Sequence, residues 1–263
     1  MTLHLIRLPV DLGALARAAG DRGWTKGRAA AFDEGAALHH LLGETFGPAA
    51  LQPFRLLVAA RATTGNLYAY STEPAESLAE TAGAAGLPEA LAALSPKRIE
   101  GKPMPARWRE GQRLGFDLRI RPVVRLNADI PAPEDRRRGR NHGFRKGQEV
   151  DAFLAAALRD HPDRRDGMQE EGRRREETYL AWLADRLAPA AEIEDGRLVR
   201  FRRSLAARMG RAQEGPDATV HGVLRITDPA AFADRLARGV GRHKAYGYGM
   251  LLLRPPGARA PRR

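Results

Sequence analysis

Cysteine is missing from the chain, which excludes disulfides, thiolate metal sites and cysteine nucleophiles. Lysine is scarce: only Lys26, Lys97, Lys102, Lys146 and Lys244 stand among 44 basic side chains, so arginine supplies nearly all the positive charge. Arginine suits bidentate phosphate contact and stacking on bases better than lysine does. No apolar run approaches the ~20 residues of a membrane-spanning helix. A signal-peptide core is also lacking, because Asp11 and Arg17 interrupt the apolar stretch it would need. A cytoplasmic protein with no membrane partner is therefore expected. No His/Asp/Glu grouping has metal-ligand spacing, so neither a metal nor another cofactor is expected.

Acids are outnumbered, 32 against 44 bases, which gives a formal net charge of +12. With 43% hydrophobic residues the chain has enough apolar material for true cores, so it is not a disordered polycation. A folded, basic chain of this kind points to a polyanionic partner. The densest signal is Gly239-Val240-Gly241-Arg242-His243-Lys244-Ala245-Tyr246-Gly247-Tyr248-Gly249, between a helical pattern and the strand Met250–Leu253. Glycine permits positive φ and close backbone approach. Successive N–H groups in such a loop suit anionic oxygens. Arg242, His243 and Lys244 add charge, and Tyr246 and Tyr248 offer faces for stacking. The order of residues is neither a Walker loop nor a dinucleotide fingerprint, which would follow a strand and open a helix.

Residues 3–9 read as a strand ending at Pro9, and Asp33-Glu34 open a helix that Gly47-Pro48 stop. Strands at 54–58 and 67–71 flank the turn Thr64-Gly65-Asn66, and an alanine-rich helix over 76–94 breaks near Gly83–Pro88. Gly115–Arg121 alternates apolar with polar and reads as the strand closing this unit. The order β-α-β-β-α-β is a ferredoxin-like unit. It spans residues 1–128, followed by a basic linker over 129–147. A second α+β unit, 148–263, contains helices at 149–159 and 176–187 and strands at 198–201 and 219–227. A long basic loop, Arg202–Asp217, joins those strands, and a helix capped by Asp228-Pro229 leads into the glycine loop. The expected fold class is α+β, two tandem ferredoxin-like (RRM-like) domains.

Gly222–Asp228 and the run Gly239–Leu251, with Ala181-Trp182-Leu183, Arg186-Leu187, Phe116–Arg119 and Leu38-His39, resemble the CasE family. CasE is the CRISPR RNA-processing endoribonuclease of type I-E Cascade, in the RAMP superfamily. The resemblance covers nearly the whole chain, with 160–175 looking like an insertion. It implies metal-independent cleavage of CRISPR precursor RNA beside a repeat stem-loop. A ribose 2′-hydroxyl would attack the neighbouring phosphorus, giving a 2′,3′-cyclic phosphate, and the enzyme would stay bound as a Cascade subunit. The implied partners are the CRISPR repeat RNA hairpin and the other Cascade subunits.

Such chemistry needs a proton acceptor, a donor to the leaving oxygen and positive charge on the phosphorane. His39 is the candidate catalytic residue. It sits at the edge of the apolar face made by Leu38, Leu42 and Phe46, and it matches the family's catalytic histidine. His40, nearly opposite, is the fallback. Some members of the family place a tyrosine one turn earlier, where this chain has Ala36. Either His39 works without it, or Tyr246, Tyr248 or a cation substitutes. Arg202, Arg203, Arg208 and Arg211 read as a clamp on an A-form stem, and Arg203 alternatively faces the scissile phosphate. Gly239, Gly241, Arg242, His243, Lys244, Tyr246, Gly247 and Gly249 are the expected RNA contacts of the glycine loop. A non-catalytic RNA-holding subunit of a CRISPR complex is the alternative reading.

Overall fold

The computed structural model describes residues 2–24, 32–130, 143–160, 172–208 and 211–256; side chains at 160, 172–174, 205–208 and 211–213 are outside that description. Two four-stranded antiparallel sheets organise the chain. The first has the order β2-β3-β1-β4, from β1 (His4–Asp11), β2 (Phe54–Val58), β3 (Thr64–Ser71) and β4 (Glu100–Pro103). Helices α1 (Leu12–Asp21), α2 (Glu34–Phe46), α3 (Ala75–Ala85) and α4 (Pro88–Leu94) connect these strands. Ile6, Leu8 and Val10 alternate inward along β1 and bury against Leu15 of α1 and Leu38 and Leu41 of α2. β1 runs through Pro9 rather than stopping there. The β4 pairing reaches only to Arg7, so the missing N–H of Pro9 costs no ladder bond on that side.

The second sheet has the order β10-β5-β9-β8, from β5 (Arg113–Ile120), β8 (Ala191–Arg208), β9 (Arg211–Ile226) and β10 (Leu251–Arg254). Between β5 and β8 lie the small hairpin β6 (Val123–Arg125) with β7 (Glu149–Asp151), then α5 (Ala152–Asp160) and α6 (Gly172–Leu187); α7 (Pro229–Arg238) precedes β10. Phe116, Leu118, Ile120, Val220 and Leu224 form its core with Tyr179 and Leu183 of α6 and Phe232 of α7. Both sheets have the ferredoxin-like order, as expected.

Two expected elements change place. The alternating strand at 115–121 belongs to the second sheet, between β10 and β9, and the fourth strand of the first sheet is the exposed Glu-Gly-Lys-Pro segment β4. Residues 202–208 and 211–217 of the expected loop are strand: β8 and β9 stay paired from Ala191↔Ile226 out to Arg208↔Arg211, and residues 209–210 lie outside the described residues. Further elements also escaped the sequence pattern, among them α1, β6, and β7, which takes the first three residues of the helix expected from 149. The linker residues 131–142 and the insertion residues 161–171 lie outside the described residues. Among those described, no helix is long and apolar enough to cross a membrane.

Candidate RNA-processing site

α2 begins at Asp33, whose carboxylate accepts from the Ala36 N–H at 3.1 Å and so caps the first turn. Ala37, Leu38, Leu41, Leu42 and Phe46 bury one face of the helix, which leaves His39 half-buried at its edge and His40 exposed. The His39 ring lies 5.2 Å from that of Tyr246 and 5.2 Å from that of His40, while His40 rests on Trp24 at 4.8 Å. Burial first, and the neighbouring His40 second, push the His39 imidazole below its ordinary pKa of 6.5. The ring is therefore neutral at pH 7 and able to accept a proton. It opens onto a cleft of about 430 Å³ lined by His39, His40, Gly43, Gly47, Gln52 and Ala245.

The glycine loop reaches this cleft because α2 permits it. A Cβ on Gly35 would stand 2.5 Å from the Tyr246 carbonyl oxygen, closer than real side chains come, so glycine is needed at this crossing. Within the loop, Gly239, Gly241, His243, Gly247 and Gly249 all have left-handed backbone. The Val240 N–H donates to Gly249 O at 2.8 Å, and the Gly249 N–H donates to Arg119 O of β5 at 2.8 Å. Gly239, Gly247 and Gly249 are buried, so these three shape the loop instead of facing a ligand. Gly241 is half-buried and lies against Trp182, where a Cβ would come within 2.8 Å of the indole.

Tyr248 is not a stacking face. It is 4% exposed, lies under the Arg119 guanidinium at 4.3 Å, accepts from it at 3.3 Å and shares a hydrogen bond with the Ser204 hydroxyl at 3.1 Å. Tyr246 is the tyrosine that meets His39.

Several of the expected RNA-binding cations are already engaged by acids. Arg242 Nη1 lies 2.7 Å and His243 Nε2 3.1 Å from the two carboxylate oxygens of Glu149 on β7. Arg203 Nε donates to Glu214 at 2.7 Å. Arg202 Nε donates to Asp217 at 2.6 Å, while Arg119 grips both oxygens of the same carboxylate at 2.8 Å. Burial alone would raise the Asp217 carboxyl, but the two guanidiniums overcome it and hold the group below its ordinary value. Glu34, at the start of α2, responds oppositely: burial raises it, with Asp33 and Asp217 adding to the effect, against the pull of Arg119 and Arg202. Arg208 and Arg211 face each other across the end of the hairpin, and their side chains lie outside the described residues.

The structure thus sets His39 and Ala245 of the glycine loop on one cleft, with Tyr246 packed against the His39 ring. Asp217, Arg119, Glu34 and Glu149 were missed by the sequence reading. The one available signal was Asp217, an acid closing an arginine-rich stretch. Among the described residues, no group of three or more His, Asp or Glu is placed to hold a metal ion.

A family model described as CRISPR associated protein matches residues 3–255. The Cascade subunit CasE of Escherichia coli K12 is 32% identical over 81 residues, a stretch that covers 31% of this chain and 41% of that one. The fold is similar to that of Thermus thermophilus Cse3 bound to an RNA representing a pre-cleavage complex. That similarity has 19% identity, covers 97% of this chain and 100% of the other, and gives a TM-score of 0.60. Cas6e of Escherichia coli K-12 is similar at 19% identity, with 96% and 99% of the two chains covered and a TM-score of 0.54.

Proposed function

This chain belongs to the CRISPR-associated protein family, and from that membership we propose that it is an endoribonuclease cutting CRISPR precursor RNA at the repeat stem-loop. In this reading a ribose 2′-oxygen bonds to the adjacent phosphorus as the bond from phosphorus to the 5′-oxygen breaks. The products are a 2′,3′-cyclic phosphate and a 5′-hydroxyl. The proton of the 2′-hydroxyl passes to Nδ1 or Nε2 of neutral His39, and the imidazolium so formed gives a proton to the departing 5′-oxygen, which returns the ring to neutrality. The phenol of Tyr246, beside His39, is the group available to orient the ring or assist that delivery. No metal takes part in this scheme.

The observation that carries the reading is a half-buried histidine with a lowered pKa, opening onto a cleft and abutted by a tyrosine from the glycine loop. The RNA-bound Cse3 relatives and the Cascade subunit CasE support it by similarity. Retention of the product as a Cascade subunit belongs to the same proposal. The loss of the family's tyrosine at Ala36 keeps one second reading in view, a subunit that holds RNA without cutting it.

Cleavage of the host's own CRISPR repeat hairpin, in EDTA, by wild type and His39→Ala separates the two. General acid–base catalysis contributes roughly 10²–10⁴-fold, so the variant loses about that much rate while RNA affinity is kept. Equal cutting by both proteins refutes the assignment of His39. Tight binding by wild type without cutting establishes the RNA-holding subunit instead.

A further inference from the structure

A second cleft, of about 420 Å³, lies beside the one at His39, and the two share Gly47, Pro48, Ala49 and Gln52 as a common ridge. Leu3 and Phe46 of the first unit and Ala237 of α7 in the second give it apolar walls, so it exists only where the units meet. Its polar side chains include Gln52, Ser71, Thr72 and Glu73, and among the described residues that line it none is basic. A cleft with a carboxylate and no cation does not attract a phosphate. Apolar walls with a few hydrogen-bonding groups suit a flat, neutral ring instead.

Gln52 is held for such a ring. Leu51 before it is 3% exposed in the first core. Pro53 after it is buried, its carbonyl accepts from the Tyr70 N–H at 3.2 Å, and its ring stands 3.0 Å from where a Cβ on Gly239 would lie. The backbone is thus fixed on both sides, while the half-buried Gln52 amide makes no hydrogen bond among the described residues. An amide offers a donor and an acceptor side by side, the pair that reads adenine. Ser71 Oγ accepts from the Glu73 N–H at 3.1 Å, which fixes the turn after β3 that carries Thr72 and Glu73. The Glu73 carboxylate only accepts, so it favours a base with an exocyclic amine over uracil, whose exocyclic groups are both carbonyls. We propose that this second cleft seats one unpaired base bearing an exocyclic amine, from the nucleotide next to the scissile phosphate, with Gln52 and Glu73 reading its edge. Single-stranded RNA is recognised through bases splayed out in this way. The base crosses the shared ridge while its phosphate stays on the His39 side. The inference rests on the proposed RNA-processing function and adds to it a base-selective subsite.

The test uses the host's own repeat hairpin with its unpaired flanks, each unpaired position beside the cut being changed in turn to adenine, uracil or an abasic site. A single 2′-deoxy substitution at the cut keeps the RNA intact while binding is measured. At one position, wild type should bind the adenine RNA roughly tenfold more tightly than the uracil or abasic RNA, the scale of one good contact to a base edge. Gln52→Ala should lose about that factor on the adenine RNA and nothing further on the abasic RNA, because both changes remove the same interaction. Glu73→Gln, which adds a donor, should narrow the preference for adenine over uracil, an effect that a merely structural role would not produce. Unchanged binding at every abasic position overturns the inference. So does equal affinity of wild type for adenine and uracil, or a Gln52→Ala loss that is as large on the abasic RNA. If wild type neither binds nor cuts the unmodified hairpin, the functional reading fails and this subsite fails with it. Cutting by wild type that is indifferent to every unpaired base sinks the subsite alone.

Discussion

His39 is kept neutral by two causes of unequal size, and the smaller can be removed without touching the ring. Burial dominates, and the adjacent His40 adds to it. A general base works only when unprotonated, so its rate is flat above the pKa and falls about tenfold per pH unit below it. The acid limb of the rate profile should therefore lie below the ordinary histidine value of 6.5. His40→Ala removes the lesser cause, so the limb moves up toward that value while the plateau rate is preserved. A pH–rate profile of the two proteins on one hairpin RNA checks this. If His40→Ala collapses the plateau, His40 is the base and His39 is its neighbour. The edge position of His39 was legible from the spacing of Leu38, Leu42 and Phe46. Its contact with Tyr246 was not, because helical periodicity says nothing about which distant loop covers a helix edge.

At the scale of elements, Asp217 fastens three strands at one point: it stands on β9 and holds Arg202 of β8 and Arg119 of β5. Asp217→Ala would leave Arg119, itself largely buried, without its counter-charge, and stranding a buried charge costs about 3–5 kcal/mol. Urea unfolding should show that loss, while Arg203→Gln, whose ion pair is half-exposed, should change stability by less than about 1 kcal/mol. The pH dependence follows from the depressed carboxyl. Its stabilisation is fully present above the ordinary aspartate pKa of 3.8 and is lost as pH falls through the lower folded value. A stability difference between wild type and variant that persists unchanged below that range would show that the clamp is not ionic.

The same elements show what kind of information sequence holds. Alternation marked β5 as a strand, but it could not say which sheet would take it, since pairing partners are chosen by tertiary contact. β4 is exposed along its whole length, so it has no apolar pattern to read. The outer hairpin looked like a loop because its sequence, rich in arginine, alanine and glycine, does not alternate apolar with polar. Backbone pairing to the neighbouring strand holds it regardless. α2, α7 and β10 were readable because each has its own cap, breaker or apolar face.

For the whole molecule, the site exists only where the two sheets meet. Tyr70 of β3 donates to the Leu251 carbonyl of β10 at 2.8 Å, and the buried Arg55 of β2 pairs with Asp117 of β5 at 3.0 Å. Both contacts cross between the units and set α2 of one against the glycine loop of the other. Gly35 is the tightest point of that crossing, with Tyr246 O already where a Cβ would need to sit. Gly35→Ala must move the helix that carries His39 or the loop that carries Tyr246. Gly35 stands in the first turn of α2, where alanine gains only part of its interior advantage of roughly 0.8–1 kcal/mol, so the clash is taken up by a local shift of helix or loop while the two sheets keep their cores. Catalysis is less forgiving, since a displacement near 1 Å can cost ~10²-fold. The expected result is a melting temperature close to wild type, RNA affinity within a few-fold, and a single-turnover cleavage rate reduced about 10–10²-fold. Wild-type cleavage by Gly35→Ala would mean that the approach of the two units at this glycine does not set the placement of His39. A parallel fall in melting temperature and rate would mean that the crossing supports the fold as a whole, not the cleft in particular.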